Sequence, residues 1–222
     1  SEMCIRDRSC VMLAGDNQAM ERDYWYSSTR KYENLESPSE IGEKASSRAI
    51  SRLNAKTISS RVCPIIFPAE VATSFFNNFL SAINGHAIYK KSSFLLDKLG
   101  SEIFPEFITI REDPSIVEGM GTRPFDSDGV LTEKKNIINK GILETYLLDT
   151  YSARKLNLDC TGNGVLTNII VESSDEQTEN LINLVDEGVI ITEMMGSGAN
   201  LLTGDYSRAV SYTHLTLPTN SS

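Results

Sequence analysis

The stretch Ile137 to Leu148, IINKGILETYLL, decides the fold. The apolar pair Ile137-Ile138 runs into Asn139-Lys140-Gly141, and a second apolar-rich run, Ile142 to Leu148, follows at once. The middle residues are hairpin chemistry, because Gly141 can take the positive φ that tight hairpin turns require. An antiparallel strand pair is expected here. On either side, Phe107 to Arg111 alternates as a strand should, and Asn168 to Val171, Asp175 to Glu187 and Val189 to Met194 read as strand, helix and strand. Ser174 and Gln177 have the layout of a capping box for that helix, Leu181, Leu184 and Val185 supply its buried face, and Gly188 is its natural stop.

Further toward the N-terminus, Ser37-Pro38-Ser39-Glu40 forms another capping box, with Pro38 at the first helical position. Ile41, Ala45, Ala49 and Leu53 recur at every fourth position, so one amphipathic helix is expected from Pro38 to Leu53. Val62 to Phe67 has strand length. Pro68-Ala69-Glu70 opens a second helix ending near Gly85, whose face Val71, Phe75, Phe79, Ala82 and Ile83 is broadened by Phe76 and Leu80, as in a helix between layers. Ser93 to Leu99 reads as a short helix stopped by Gly100. Tyr24-Trp25-Tyr26 suits a strand with alternate faces, or an exposed stacking platform. Strand runs, a hairpin and separated helices together give the α+β class.

The chain has 222 residues, enough for one large domain or two small ones, and 40% hydrophobic content, enough for a core. Its formal net charge of −9 argues against nucleic acid as a partner, since phosphate binding draws on clustered Lys and Arg, and Lys90-Lys91 is too small a cluster to reverse that. No apolar run reaches membrane-span length and the first thirty residues lack the order of a signal peptide, so a cytoplasmic protein without a membrane partner is expected. Setting aside Cys4 and Cys10 near the N-terminus, Cys63 and Cys160 lie far apart with no paired-ligand spacing, which suits reduced thiols.

Two stretches lack core periodicity: Tyr151 to Gly164 (YSARKLNLDCTGNG) and Met195 to Arg208 (MGSGANLLTGDYSR). They read as chemistry or docking surface. The candidate cavity residues are Tyr151, Ser152, Arg154, Thr161, Gly162 and Asn163 in the first and Gly196, Gly198, Asn200, Thr203, Gly204, Asp205, Ser207 and Arg208 in the second. Arg154 and Lys155 either hold a peptide carboxylate or a partner's acidic surface, or form a solvated cationic helix end. Gly196-Ser197-Gly198 and Thr203-Gly204-Asp205 lack the lysine of a phosphate loop and the third glycine of a dinucleotide fingerprint. Asp126-Ser127-Asp128-Gly129 begins like a calcium loop but lacks the later ligands, so a turn capped by its own side chains is expected.

A catalytic zinc needs three protein ligands and an open position. With only His86 and His214, no two-histidine motif can be written anywhere in the chain, and no metal site is expected on it. Neither Cys63 nor Cys160 is spaced to make a nucleophile and base pair with His86. No catalytic residue is assigned.

Both non-periodic stretches resemble signature segments of the TldD/PmbA family, specifically its PmbA (TldE) branch. Met20 to Ser27, Tyr89 to Leu99, Ile108 to Pro114 and Pro124 to Val130 resemble that family in the same order. The resemblance implies a largely antiparallel, barrel-like mixed sheet with flanking helices. It also implies a cytosolic metallopeptidase subunit that acts with a zinc-bearing TldD-type partner on unfolded or modified peptides. The partner branch carries a His-Glu-x-x-x-His helix; the matching segment here, Val71 to Ala82, has no histidine. Zinc is therefore expected on the partner, with the two stretches bordering a shared cavity. The alternatives are a structural or peptide-binding module without peptidase role and, last, autonomous metal-independent hydrolysis.

The resemblance covers residues 11–209, expected to be a truncated central and C-terminal domain. Residues 1–10 and 210–222 fit neither the family nor the internal patterns. They resemble translated sequencing-adapter tails and are expected to be non-native.

Overall fold

A computed structural model describes residues 5–16, 19–56, 58–172, 178–183, 188–196 and 198–216. These fall into two compact units, residues up to 61 with 116–120, and residues 62–115 with those from 121 onward.

In the first unit β1 (Arg6–Asp16) and β2 (Ala19–Thr29) form an antiparallel hairpin in which Arg6 faces Thr29 and Asp16 faces Ala19. One face of the hairpin packs on α1 (Pro38–Ser51). The helix begins where the sequence places it: Ser37 Oγ accepts from the Glu40 amide at 3.2 Å, and the Glu40 carboxylate accepts from the Ser37 amide at 2.7 Å. Ile41, Ala45 and Ala49 are buried as the four-residue spacing requires. On β2 itself Asp23 is buried, with Arg52 Nε at 2.7 Å and Arg48 Nε at 3.3 Å. Tyr24 and Tyr26 lie on the opposite, exposed face with ring centroids 6.3 Å apart, so the aromatic triplet is a strand with Trp25 turned the other way.

The second unit holds the main core. Its larger sheet runs β6 (Ile142–Leu143), β5 (Lys135–Asn139), β4 (Ile110–Glu112), β7 (Ile169–Val171), antiparallel throughout. The decisive hairpin is present, with Lys140 at φ 47 and Gly141 at φ 82. A Cβ on Gly141 would come 2.1 Å from the Phe104 carbonyl oxygen, so the turn needs glycine for space as well as for φ. Consecutive Ile137 and Ile138 are both fully buried, against strict alternation. A register shift explains it: Ile110 pairs with Ile138 but Arg111 with Asn136, leaving Ile137 as an extra residue turned inward.

A smaller sheet pairs β3 (Ile65–Ile66) in parallel with β8 (Gly188–Met195), and β8 antiparallel with β9 (Ala209–Thr216). The sheets are mixed and largely antiparallel, and no closed barrel forms among the described residues. Against them lie α2 (Ala69–Ala82) and the short α3 (Gly85–Tyr89), with α4 (Thr150–Leu156) beside α3. Phe79, Leu80, Ile83, Leu143, Leu147 and Leu148 are buried together, each such side chain contributing roughly 1.5–3 kcal/mol.

Residues 93–99 differ from the expected helix. Ser93 Oγ donates to the Ala82 carbonyl at 2.6 Å and accepts from the Leu95 amide, the later amides bond three residues back, and Asp97 takes φ 60, so the segment is a chain of turns. The long-range hydroxyl bond wins over a short helix whose nucleation is unfavourable. The strand expected over 62–67 is confined to Ile65–Ile66. Of the helix expected over 175–187, α5 (Thr178–Asn183) is described; its capping box at Ser174 and Gln177, with Leu184 and Val185, lies outside the described residues.

Candidate functional site

The first non-periodic stretch splits into an exposed face and a buried clasp. Asp149 caps α4: its Oδ1 accepts from the Ser152 amide at 2.7 Å and the Ser152 hydroxyl at 2.5 Å. Ser152 is fully buried against the start of α3, where a Cβ on Gly85 would sit 2.2 Å from its Oγ. The other carboxylate oxygen of Asp149 lies 3.0 Å from His86 Nε2. Two tyrosine rings stand by this pair: Tyr151 is nearly parallel to His86 at 6.0 Å, and Tyr89 meets Tyr151 edge-on at 5.7 Å. Lys155 Nζ lies 5.5 Å over the Tyr151 ring. Arg154 is exposed, with Nε donating to the Thr150 carbonyl at 3.1 Å. Burial raises the proton affinity of Asp149, but the Ser152 hydroxyl and amide and His86 outweigh it and hold the carboxyl below its ordinary value.

Thr161, Gly162 and Asn163 face inward. Asn163 Nδ2 donates to Glu112 Oε2 at 2.8 Å, while the Thr167 amide and hydroxyl reach Glu112 Oε1 at 2.9 and 2.8 Å. Lys135 Nζ is 3.1 Å from the same carboxylate and also donates to the Thr161 carbonyl. Thr161 Oγ1 accepts from the Leu148 amide at 2.7 Å. Gly162 takes φ 68 with the Leu131 carbonyl 2.7 Å from where a Cβ would be. These residues fasten the loop to the sheet. The acidic loop before them is tied to the end of the same stretch: Asp126 Oδ1 accepts from the Asp128 and Val130 amides, and Oδ2 from the Gly164 amide. Burial opposes ionisation of Asp126, and the three amides prevail and lower its pKa.

The second stretch builds a tight reversal after β8. Ala199 bridges Tyr206, the Ser207 amide donates to the Gly198 carbonyl at 2.8 Å, and a Cβ on Gly198 would fall 1.4 Å from the Ser207 carbonyl oxygen. Within the turn the Asn200 amide donates to the Asp205 carbonyl and Gly204 to the Asn200 carbonyl, while Asn200 Oδ1 accepts from the Leu202 and Thr203 amides. Thr203 Oγ1 donates to Asp205 Oδ2 at 2.7 Å. Arg208 lies 5.7 Å over the Tyr206 ring, and Gly196 opens the turn at φ 79. Asn200, Gly204 and Asp205 line a pocket together with α2 and the turns at 94–104; no residue of the first stretch lines it.

Four polar side chains of α2 turn back onto the helix, Thr73 on Ala69, Ser74 on Val71, Asn78 on Ser74 and Ser81 on Asn77, and Glu70 in the first turn is its one carboxylate. Among the described residues no group of three or more His, Cys, Asp or Glu side chains is placed to hold a metal. Cys160 Sγ faces the Leu148 carbonyl at 3.5 Å, and Cys10, Cys63 and Cys160 are free thiols. No helix among the described residues is long and apolar enough to cross a membrane.

Sequence reasoning missed the Asp149–His86 pairing, the Glu112 clasp and the phenylalanine-lined pocket. Only the Asp149 cap had a local signal, an Asp three residues before Ser152 at a helix start; the pairing with His86, the clasp and the pocket all join residues from distant segments.

Residues 60–216 match the family model described as the PmbA/TldA metallopeptidase C-terminal domain. The chain is 45% identical over 202 residues to a protein of Buchnera aphidicola subsp. Baizongia pistaciae called Metalloprotease PmbA homolog, covering 90% of this chain and 45% of that protein. Identity to a Metalloprotease TldD homolog of Buchnera aphidicola subsp. Acyrthosiphon pisum is 24% over 165 residues, with 67% of this chain and 34% of that protein covered. Among solved structures, a Bacteroides thetaiotaomicron protein described as a candidate modulator of DNA gyrase superposes with a TM-score of 0.90 at 31% identity, over 96% of this chain and 48% of that one. The chain thus spans about half the length of the relatives it matches. On the match of its residues 60–216 and its identity to a PmbA homologue, the chain belongs to the PmbA/TldD metallopeptidase family, on the PmbA side.

Proposed function

We propose that this gene product is the PmbA-type subunit of a cytosolic, two-subunit metallopeptidase that cuts unfolded or modified peptides. A TldD-type partner carries the zinc ion, the water it activates and the glutamate base. This chain contributes cavity wall and peptide-holding surface, formed by Tyr151 and Arg154 on the first stretch and by the Asn200 to Asp205 turn on the second. The observation that carries the reading is α2, which has no histidine and bonds Thr73, Ser74, Asn78 and Ser81 back to its own backbone, in a chain whose 45% relative is nonetheless called a metalloprotease.

The test is to purify the gene product with and without a TldD-type protein carrying the His-Glu-x-x-x-His helix, and to measure zinc and peptide cleavage in each. Zinc with the partner, and cleavage only when both chains are present, is the expected result. Stoichiometric zinc in this product alone, or cleavage by it in chelator, overturns the assignment. Copurification with the partner but unaltered partner cleavage without it favours the binding-module alternative.

A further inference from the structure

Between α2 and the Ala199 to Tyr206 turn lies a pocket of about 200 Å³. Phe75, Phe79, Phe94, Phe104 and Tyr206 supply its rings. They brace one another: Phe79 meets Phe104 edge-on at 5.1 Å, and Phe75 meets Tyr206 edge-on at 5.5 Å. Even so, Phe94 is 42% exposed and Phe75 is 36% exposed, so apolar ring surface is left facing solvent in a concavity.

Size narrows the occupant. An apolar cavity of about 150 Å³ is enough to hold a benzene molecule, whereas cofactor and drug-sized sites run to roughly 300–1,000 Å³. One aromatic or branched aliphatic side chain fits; a nucleotide does not.

Charge narrows it further. Asn78, Asn200 and Asp205 are the polar lining residues. Asn78 Nδ2 donates to its own helix and Asn200 Oδ1 accepts from two turn amides, so Asp205 is the one charged group in the lining. Asp205 is exposed, and Thr203 occupies only its Oδ2. Among the described residues its Oδ1 takes no hydrogen bond. The pocket edge therefore offers a carboxylate oxygen to an N–H or ammonium donor and repels an acidic side chain. The turn that presents it is locked by the Asn200–Asp205 and Gly204–Asn200 backbone bonds and by Gly204 against the Phe94 ring, so little ordering remains to be done on binding.

We propose that this pocket receives one bulky apolar side chain of a peptide, whose neighbouring backbone N–H or free ammonium meets Asp205. The inference deepens the subunit reading above and rests on it for the identification of the ligand as a peptide.

The test is a ligand-observed NMR titration of the gene product, without partner, using the N-acetyl amides of phenylalanine, alanine and aspartate and the free-ammonium amide of phenylalanine. Phenylalanine probes bind at least about tenfold more tightly than the alanine probe, in line with discrimination by apolar pockets, and the aspartate probe binds most weakly. Two filling variants, Ala199→Phe from the turn and Asn78→Phe from α2, lose that preference, and thermal melts identify which are folded. Asp205→Asn weakens the free-ammonium probe more than the acetylated one. Equal binding of the phenylalanine and alanine probes, or an unchanged preference in a folded filling variant, overturns the pocket assignment. Cleavage by the assembled pair alongside equal probe binding removes the pocket and leaves the subunit reading standing. Selective probe binding without cleavage does the reverse.

Discussion

His86 Nε2 lies 3.0 Å from Asp149 Oδ2, and the same carboxylate caps α4 through its other oxygen. One side chain thus ties the histidine of α3 to the first turn of α4. Replacing Asp149 with Ala removes the cap and frees His86, and a loss of about 1 kcal/mol is expected from the cap itself. Asp149→Asn keeps an oxygen for the Ser152 amide and should cost less. Chemical denaturation of the two variants gives the order; equal loss would show that the cap is not what Asp149 contributes.

Acid should unfold the protein through a small set of carboxylates. Asp113 is lowered by the Ser115 hydroxyl and amide against the opposing effect of burial, with Lys134 adding to them; in Asp126 and Asp149 hydrogen bonds likewise overcome burial. A folded pKa below the unfolded 3.8 means stability that is present above that pH and lost as pH falls below it. The melting temperature should therefore drop below about pH 4, and Asp126→Asn should flatten that drop while lowering the plateau at neutral pH. A melting temperature independent of pH down to 3 contradicts it.

How much of this was legible in the chain follows from how far apart the interacting residues are. The α1 capping box is legible residue for residue and the hairpin with Gly141 in its turn is legible as such, because caps and turns are set within four residues, although Asn139 belongs to β5 and the second strand is confined to Ile142–Leu143. The second stretch was recognised as non-core but its shape was not, since its reversal depends on Gly198 meeting Ser207 and on Gly204 meeting Phe94. Thr161 and Asn163 looked like surface because they are polar, yet they serve Glu112, 51 positions from Asn163. A buried acid with partners on other strands leaves no periodic trace in the sequence.

That acid gives the largest stability effect expected from a single polar change. Glu112 is 1% exposed and holds Lys135, Asn163 and Thr167 at once. Glu112→Ala leaves the largely buried Lys135 ammonium without its counter-charge and takes one partner from Asn163 and from Thr167, and about 3–5 kcal/mol of destabilisation is expected. Glu112→Met/Lys135→Met, which removes both charges, should recover part of that. A double mutant as unstable as the single one refutes this account of the cluster.

The glycines of the second stretch separate space from backbone angle. At Gly198 a Cβ would collide with the Ser207 carbonyl oxygen at 1.4 Å, so Gly198→Ala must open the Ala199–Tyr206 bridge, at a cost of about 3 kcal/mol or more. Gly196 has open space around its Cβ position and only a φ of 79 to satisfy, so Gly196→Ala should cost about 1–2 kcal/mol. The reverse order in a denaturation series would mean that the turn yields more readily than its backbone bonds suggest.

On the proposed subunit reading, Arg154 and Asp205 separate the two stretches in a cleavage assay of the gene product with a TldD-type protein. Asp205 lines the pocket and keeps one oxygen for a donor. If substrate occupies the pocket as proposed, Asp205→Asn removes a charge-assisted hydrogen bond worth roughly 1.5–3 kcal/mol, and kcat/KM should fall about tenfold or more. Because that bond is made before any chemistry, the loss belongs in KM, with kcat nearly unchanged. Arg154 is exposed on α4 and lines a different surface, so Arg154→Ala acts on substrate only if peptide also crosses the Tyr151 and His86 face. A fall with Asp205→Asn alone places the peptide on the second stretch, and a fall with both extends it over the first. Full cleavage by both variants removes the two stretches from the substrate path and returns them to the fold.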